Sequence, residues 1–278
     1  GVEQGVPVMD EGGVLGQVAP SGVAALGVGL PGLVDHDGVL RFGPNLPGIV
    51  DLDLEQALAI NLDLPVVVDN DANCAAWAEH RLGAAAGRDH AVLVTLGTGI
   101  GAGLITDGRP FTGAHGMAGE PGHMIVDPGG PRCPGGRRGC WERYASGSGL
   151  GFLAREAALA GRADQVVALA GGDAEMGRGE HVTTAARRGD AEALAVMDSF
   201  GWWVAVVLAN LVNILDPEVV VLGGGLVTEV DLFLTPTRMA FGELVLASAH
   251  RPEVPIVAAT TGERAGALGA ALLAAERH

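Results

Sequence analysis

The sequence predicts an α/β fold, and three observations carry that expectation. Apolar strand-like runs alternate with helical patterns along the whole chain. The 278 residues are 48% hydrophobic but only 4% aromatic, with 45 glycines, a composition of a packed and turn-rich α/β chain. Two apolar runs end in glycine clusters, LVTLGTGIGAG and VVVLGGGLV, which points to a nucleotide held between two loops or to two tight strand-to-helix turns. The length fits one large domain or two lobes with a sizeable core.

Taken in order, the expected strands are 23–30 (VAALGVGL), 65–70 (PVVVDN), 91–97 (AVLVTLG), 102–108 (AGLITDG), 219–225 (VVVLGGG) and 255–260 (PIVAAT). The expected helices are 53–62, 72–83, 147–161, 191–216 and 265–277, each with apolar residues recurring at helical spacing. Residues 161–190 read as polar and helical without a chemical motif.

Charge and composition exclude several function classes. The net charge of −16 and pI near 4.7 oppose nucleic-acid binding, because duplex affinity comes largely from neutralised phosphates. All 17 basic residues are arginine. A Walker A loop and a pyridoxal Schiff base each need a lysine, so both are out. No apolar run reaches the roughly 18 residues a membrane helix needs, so no membrane span is expected, and no signal peptide is read at the start. Three cysteines are too few for a disulfide framework, so a cytoplasmic setting is expected.

Three segments carry candidate chemistry. In LGTGIGAG, Gly97, Thr98 and Gly99 let the backbone approach a phosphate without a basic side chain, and Thr98 adds a hydroxyl. Because strand character resumes at AGLITDG, this segment reads as a hairpin rather than a dinucleotide fingerprint. In the stretch 118–147, His123, Cys133 and Cys140 are separated by Gly and Pro turns, the setting of a small zinc loop with three ligands. Glu120 and Glu142 flank it, so closing the loop would bring two carboxylates toward one pocket. In VVVDNDANCAAWAE, Asp71 stands at a strand mouth, where open α/β sheets place functional groups, or else caps the helix that follows. Asn70 is also available as that cap; Cys74 and Trp77 read as core.

Taken together, GVGLPGLVD, FGPNLPG, the DNDAN segment, LGTGIGAG, GAHGMAGEPGH, CPGGRRGCWE and VVLGGGLV, in this order, resemble the ROK family of sugar kinases and related repressors. The resemblance runs from about Gly27 to the C-terminus, and GCWERYASG is especially similar to bacterial glucokinases. It implies a two-lobed, ribonuclease H-like fold of the actin-like ATPase/hexokinase kind, with the active site in the cleft between lobes. Residues 1–72 would form a small lobe with helix 265–278 packed on it, and 73–264 a large lobe carrying a zinc-type loop at 123–142. The resemblance makes Asp71 the general base on the sugar hydroxyl, and Gly32, Asn45, Asn70, Asp71, Glu120, His123 and Glu142 the sugar ligands. Gly97, Thr98 and Gly99 match the loop on the ATP phosphates, and Gly223, Gly224 and Gly225 the loop near the nucleoside. Mg²⁺ would accompany ATP, and His123, Cys133 and Cys140 would hold Zn²⁺. A homodimer or homotetramer that binds hexose and ATP, but neither nucleic acid nor membrane, is expected.

Two departures from the family pattern stand out. Gly135 occupies the place of a middle cysteine in the zinc loop, leaving three ligands. The family's opening D-x-G-G-T turn is missing, with GVEQG, and Glu3 in it, as the nearest remnant. Either pieces of the protein are absent from this chain or the first lobe is degenerate, and the intact downstream motifs favour the former. The expected reaction is phosphorylation of glucose at its 6-hydroxyl by ATP, since Leu33 beside Gly32 offers an N-acetyl group no polar partner. N-acetylmannosamine, fructose or allose as substrate, polyphosphate as donor, a sugar-binding pseudokinase and a repressor without its DNA-binding part are the alternatives.

Overall fold

The computed structural model describes residues 22–43, 46 and 48–278. Glu3 with the rest of GVEQG, and Asn45, lie outside the described residues.

The first strand, β1 (Leu26–Leu30), pairs in parallel with β5 (Val66–Asn70). Between them β2 (Leu33–Val34), β3 (Val39–Phe42) and β4 (Val50–Asp53) form an antiparallel ribbon that leads into α1 (Leu54–Leu62). Helix α2 (Asp71–Leu82) leaves β5 directly. A meander of β6 (Ala91–Leu96), β7 (Ile100–Thr106) and β8 (Arg109–Pro110) follows. Then come α3 (Glu142–Ala145), α4 (Gly147–Leu159), α5 (Asp164–Leu169), α6 (Gly179–Arg187) and α7 (Ala191–Leu215). The chain ends with β9 (Val219–Gly223), α8 (Val230–Leu244), β10 (Ile256–Ala258) and α9 (Ala265–Arg277).

The larger sheet has the order β10-β9-β6-β7-β8, with β6, β9 and β10 parallel and β7 and β8 antiparallel. Three successive antiparallel strands extended by two parallel ones are the ribonuclease H-like arrangement. Strand β9 is buried at every position, because both faces of the sheet are covered, and its VVVLG therefore reads as a continuous apolar run. Its alternate residues serve two cores. Val220 and Leu222 join Val92 and Val94 against α7, while Val219 and Val221 join Leu93 against α2 and α9. Helix α7 is apolar enough by length and composition to cross a bilayer, a feature the sequence reading passed over, yet its Phe200, Val204, Leu208 and Val212 are completely buried in the first of these cores.

Two sets of elements escape the sequence pattern. The ribbon β2–β4 is short, and all four residues of β4 are exposed, so no apolar alternation marks it. Helix α8 contains Pro236 in its interior, a residue that normally ends a helix. The helix packs closely on α7 at that point: a Cβ at Gly201 of α7 would stand 2.9 Å from the proline Cβ. Residues 161–190 resolve into α5, a 3₁₀ turn at Ala174–Met176, and α6.

Helix α9 packs on α2, β1 and β5. The contact with α2 is so tight that any side chain at Gly269 would overlap the Cys74 carbonyl. A second tie lies at the other end of α2. The carboxylate of Glu79, 1% exposed, accepts from the backbone N–H groups of Ala84 (2.6 Å), Thr260 (2.9 Å) and Thr261 (2.7 Å) and from the Thr261 hydroxyl (2.6 Å). Those donors belong to the turn after α2 and the turn before α9, so one side chain ties both together. Glu79→Gln would set an amide N–H₂ against these donors and leave part of the set unpaired. It should lower unfolding free energy by roughly 2–3 kcal/mol, read as a shift in urea midpoint; an unchanged midpoint would contradict a bracing role.

Candidate active site

The site begins where β5 ends. Asn70 is the N-cap of α2: its Oδ1 accepts from Ala72 N (2.8 Å) and Asn73 N (3.1 Å), and its Nδ2 donates to the Gly32 carbonyl (3.0 Å). Asp69 is buried and accepts from Asn73 Nδ2 (2.9 Å), which holds the strand end to the first helical turn. The cap is therefore Asn70, and Asp71 stands in the first turn, where its Oδ1 shares the Ala72 N–H (2.9 Å). The Asp71 residue is open on one side. Desolvation by the surrounding protein raises its carboxyl above the ordinary range, against the lowering pull of its own and Ala72's N–H groups.

Glu120 and Glu142 complete an acidic cluster. Glu120 precedes the 3₁₀ turn Pro121–His123, which follows β8 in the chain and packs against β7. Its carboxyl is also raised, first by burial and further by the charges of Asp71 and Glu142, while His123 pulls it down. Glu142 opens α3, is buried, and is raised by desolvation; His123 Nδ1 lies 3.8 Å from its Oε1, and that oxygen has no hydrogen-bond partner among the described residues. Its other oxygen reaches the glycine loop: a Cβ placed on Gly99 would stand 3.2 Å from Glu142 Oε2. The acidic cluster and the glycine loop thus share a wall.

The glycine loop is the turn between β6 and β7, closed by Gly97 N donating to Gly99 O (3.0 Å). It is the hairpin that LGTGIGAG implies. Its tip is held to the start of α4, where Gly147 N donates to Gly97 O (2.7 Å) and Ser148 Oγ to Thr98 O (2.8 Å). A cavity of about 650 Å³ opens beside it, walled by Thr98, Ser148, Gly225 and three arginines, Arg143, Arg155 and Arg178. Gly225 borders this cavity from the β9 side, whereas Gly223 ends β9 in the core and Gly224 packs on the Leu96 backbone. The N-terminus of α4 faces the same space, a setting that favours an anion.

Sequence reasoning missed the arginines. They come from three separate segments, and none belongs to a glycine motif; the absence of lysine was the one signal that arginine would have to supply any positive charge. Cys74 is completely buried, with its thiol pushed up to about 12, and it is inert core as its helical position implied.

In the loop 123–142, one ligand atom each from His123, Cys133 and Cys140 lies within 4.8 Å of the others. The two sulfurs are 3.2 Å apart and both cysteines are buried and free. Two thiols and an imidazole form a donor set that zinc favours. Gly135 is exposed, and a Cβ there would stand 3.6 Å from Cys133 Sγ, so a side chain at 135 would enter the cluster that glycine leaves open.

The model of the ROK family matches residues 16–277. This chain belongs to the ROK family. A glucokinase of Streptomyces coelicolor is 37% identical over 256 residues, covering 91% of this chain and 81% of the relative. The crystal structure of a ROK family glucokinase from Streptomyces griseus, in complex with glucose and AMPPNP, superposes with a TM-score of 0.82 at 38% identity, covering 91% of this chain and 82% of that one. A xylose repressor of Bacillus subtilis is 29% identical, covering 90% of this chain and 61% of its own length. The ROK chain described here therefore has the actin-like ATPase/hexokinase fold.

The raised carboxyls make the site a source of pH-dependent instability. A carboxyl whose folded pKa lies above its unfolded one favours the native state while protonated and loses that contribution as pH rises through the folded value. Glu120→Gln should therefore raise the melting temperature at pH 7.5, and the gain should shrink as the pH falls toward 4.5 and the native carboxyl takes up its proton. A gain independent of pH, or a loss at pH 7.5, in thermal melts across that range would oppose this account.

Proposed function

We propose that the chain is a sugar kinase that transfers the γ-phosphoryl group of ATP to the 6-hydroxyl of glucose, with ADP and a proton as the other products. The observation that carries this reading is the contact of Glu142 with the position of a Gly99 Cβ, which sets an acidic, hydroxyl-binding cluster against a glycine hairpin and its cationic cavity. Similarity to glucokinases over nine-tenths of the chain, including one bound to glucose and AMPPNP, supports the same substrates. A xylose repressor is among the relatives, but a net charge of −16 opposes duplex binding by the residues given.

In this reading the acceptor sugar lies over the head of α2. Asp71 accepts the proton of the 6-hydroxyl as its oxygen attacks the phosphorus in line, and the raised carboxyl makes it a better base than an unperturbed aspartate. Glu120, Glu142 and His123 bind the remaining hydroxyls, and Asn70 positions the Gly32 turn beside them through its Nδ2. Asn45, outside the described residues, is proposed as a further sugar ligand. Gly97, Thr98 and Gly99 take the phosphates and Gly223 to Gly225 the nucleoside end, with Gly225 the member that reaches the cavity. Magnesium bound with ATP would offset the phosphate charge. His123, Cys133 and Cys140 hold zinc in this proposal, with water as the fourth ligand where Gly135 gives none. We further take 1–72 with 265–278 as the small lobe and 73–264 as the large one, which sets the boundary within the first turn of α2; the protein would work in the cytoplasm, as a homodimer or homotetramer.

Asp71→Asn should leave glucose affinity within a few-fold while lowering turnover by roughly 10²–10⁴-fold, measured by coupled ADP release and by glucose titration. Near-normal turnover would remove Asp71 as the base. The acidic limb of the wild-type rate profile should lie above the ordinary carboxylate range, in line with the raised Asp71. Elemental analysis should find about one zinc per chain, and Cys133→Ser should abolish it; a metal-free, fully active preparation would end the zinc assignment.

A further inference from the structure

Three arginines border the cavity beside the glycine hairpin, and they are not equivalent. Arg155 Nη1 donates to the Gly177 carbonyl (2.7 Å), which fixes it to the backbone. Arg178 stands 3.8 Å from Glu180 and is widely exposed. Arg143 makes neither kind of contact among the described residues, and its Nε is buried without a hydrogen-bond partner. Glu142 feels its charge, but from outside ion-pair distance. Arg143 lines the cavity with a guanidinium that no carboxylate pairs among the described residues, which leaves a place for an anionic occupant.

The position of Arg143 indicates what that occupant is. It sits in α3 immediately after Glu142; Glu142 belongs to the acidic cluster, whereas Arg143 lines the cavity. One turn further on, Gly147 and Ser148 clamp Gly97 and Thr98 of the hairpin. Arg143 is therefore held in register with the hairpin tip by a few residues of backbone. With no lysine anywhere in the chain, a cation for this part of the cavity must be an arginine. A planar guanidinium also suits two phosphate oxygens at once, where an ammonium would act as a point charge.

We infer that Arg143 binds the phosphate chain of the nucleotide, and so supplies the positive side-chain charge that the glycine hairpin lacks. This rests on the nucleotide reading of the cavity given above. Arg143 is a binding residue in this account; it takes no part in moving the proton, and its effect falls on the phosphates and not on the sugar or the nucleoside.

The test uses binding alone. ADP, adenosine and glucose would each be titrated by calorimetry against wild type, Arg143→Gln and Arg143→Lys, with thermal melts to check folding. Expected is an ADP affinity about tenfold weaker in Arg143→Gln, partial recovery in Arg143→Lys, and adenosine and glucose affinities within twofold of wild type. An ADP affinity unchanged in Arg143→Gln would overturn the inference, as would equal losses for ADP and adenosine, which mark a structural role. Should Arg143→Gln fail to fold, Arg143→Lys decides: it must weaken ADP more than adenosine. Wild type that binds no ADP would overturn the nucleotide reading itself, whereas wild type that binds it normally alongside an indifferent Arg143→Gln would overturn only the role given to Arg143.

Discussion

Glu79 is the interaction on which the placement of the site depends. Its buried carboxylate gathers N–H and O–H donors from the turns at Ala84 and Thr260–Thr261, and it does so without a cation. Hydrogen bonds to a charged acceptor are the stronger kind, so the cost of burying the charge is met by several of them together. The consequence reaches the far end of α2. A helix fixed at its last turns by Glu79, and along its length by the Gly269–Cys74 contact, can hold its first residue in one place. That first residue is Asp71.

The site is electrostatically lopsided. Asp71, Glu120 and Glu142 crowd one another on one side, and desolvation raises all three. The other side holds the arginines and the N-terminus of α4. Such a separation suits a reaction in which a proton leaves one partner while the other carries several negative charges. It also means that the native state bears a penalty at neutral pH, the usual companion of a working site.

Much of this was legible in the sequence, and for physical reasons. Central strands such as VVVLG announce themselves because both faces are buried, and α7 and α9 because their apolar residues keep helical spacing. The glycine hairpin followed from strand character resuming at AGLITDG. What stayed hidden depends on contacts between distant residues. Helix α8 runs through Pro236, which packs against Gly201 of a helix thirty-odd residues earlier. Strand β4 has no buried residue to give it a pattern. Asn70 serves as the cap of α2 and also bonds Gly32, thirty-eight positions away, which the spacing of neither residue reveals. The same holds for Arg143, Arg155 and Arg178, which converge from three segments on a cavity that only the folded chain contains.

The hairpin tip is already fastened before any nucleotide arrives, by the Gly147 amide and the Ser148 hydroxyl. A phosphate entering there has little loop to immobilise, so little of its interaction energy goes into ordering the protein. On the proposed reading the phosphate end of the cavity is set in advance, and any preference among nucleobases falls to other lining residues, Gly225 and Leu226 among them.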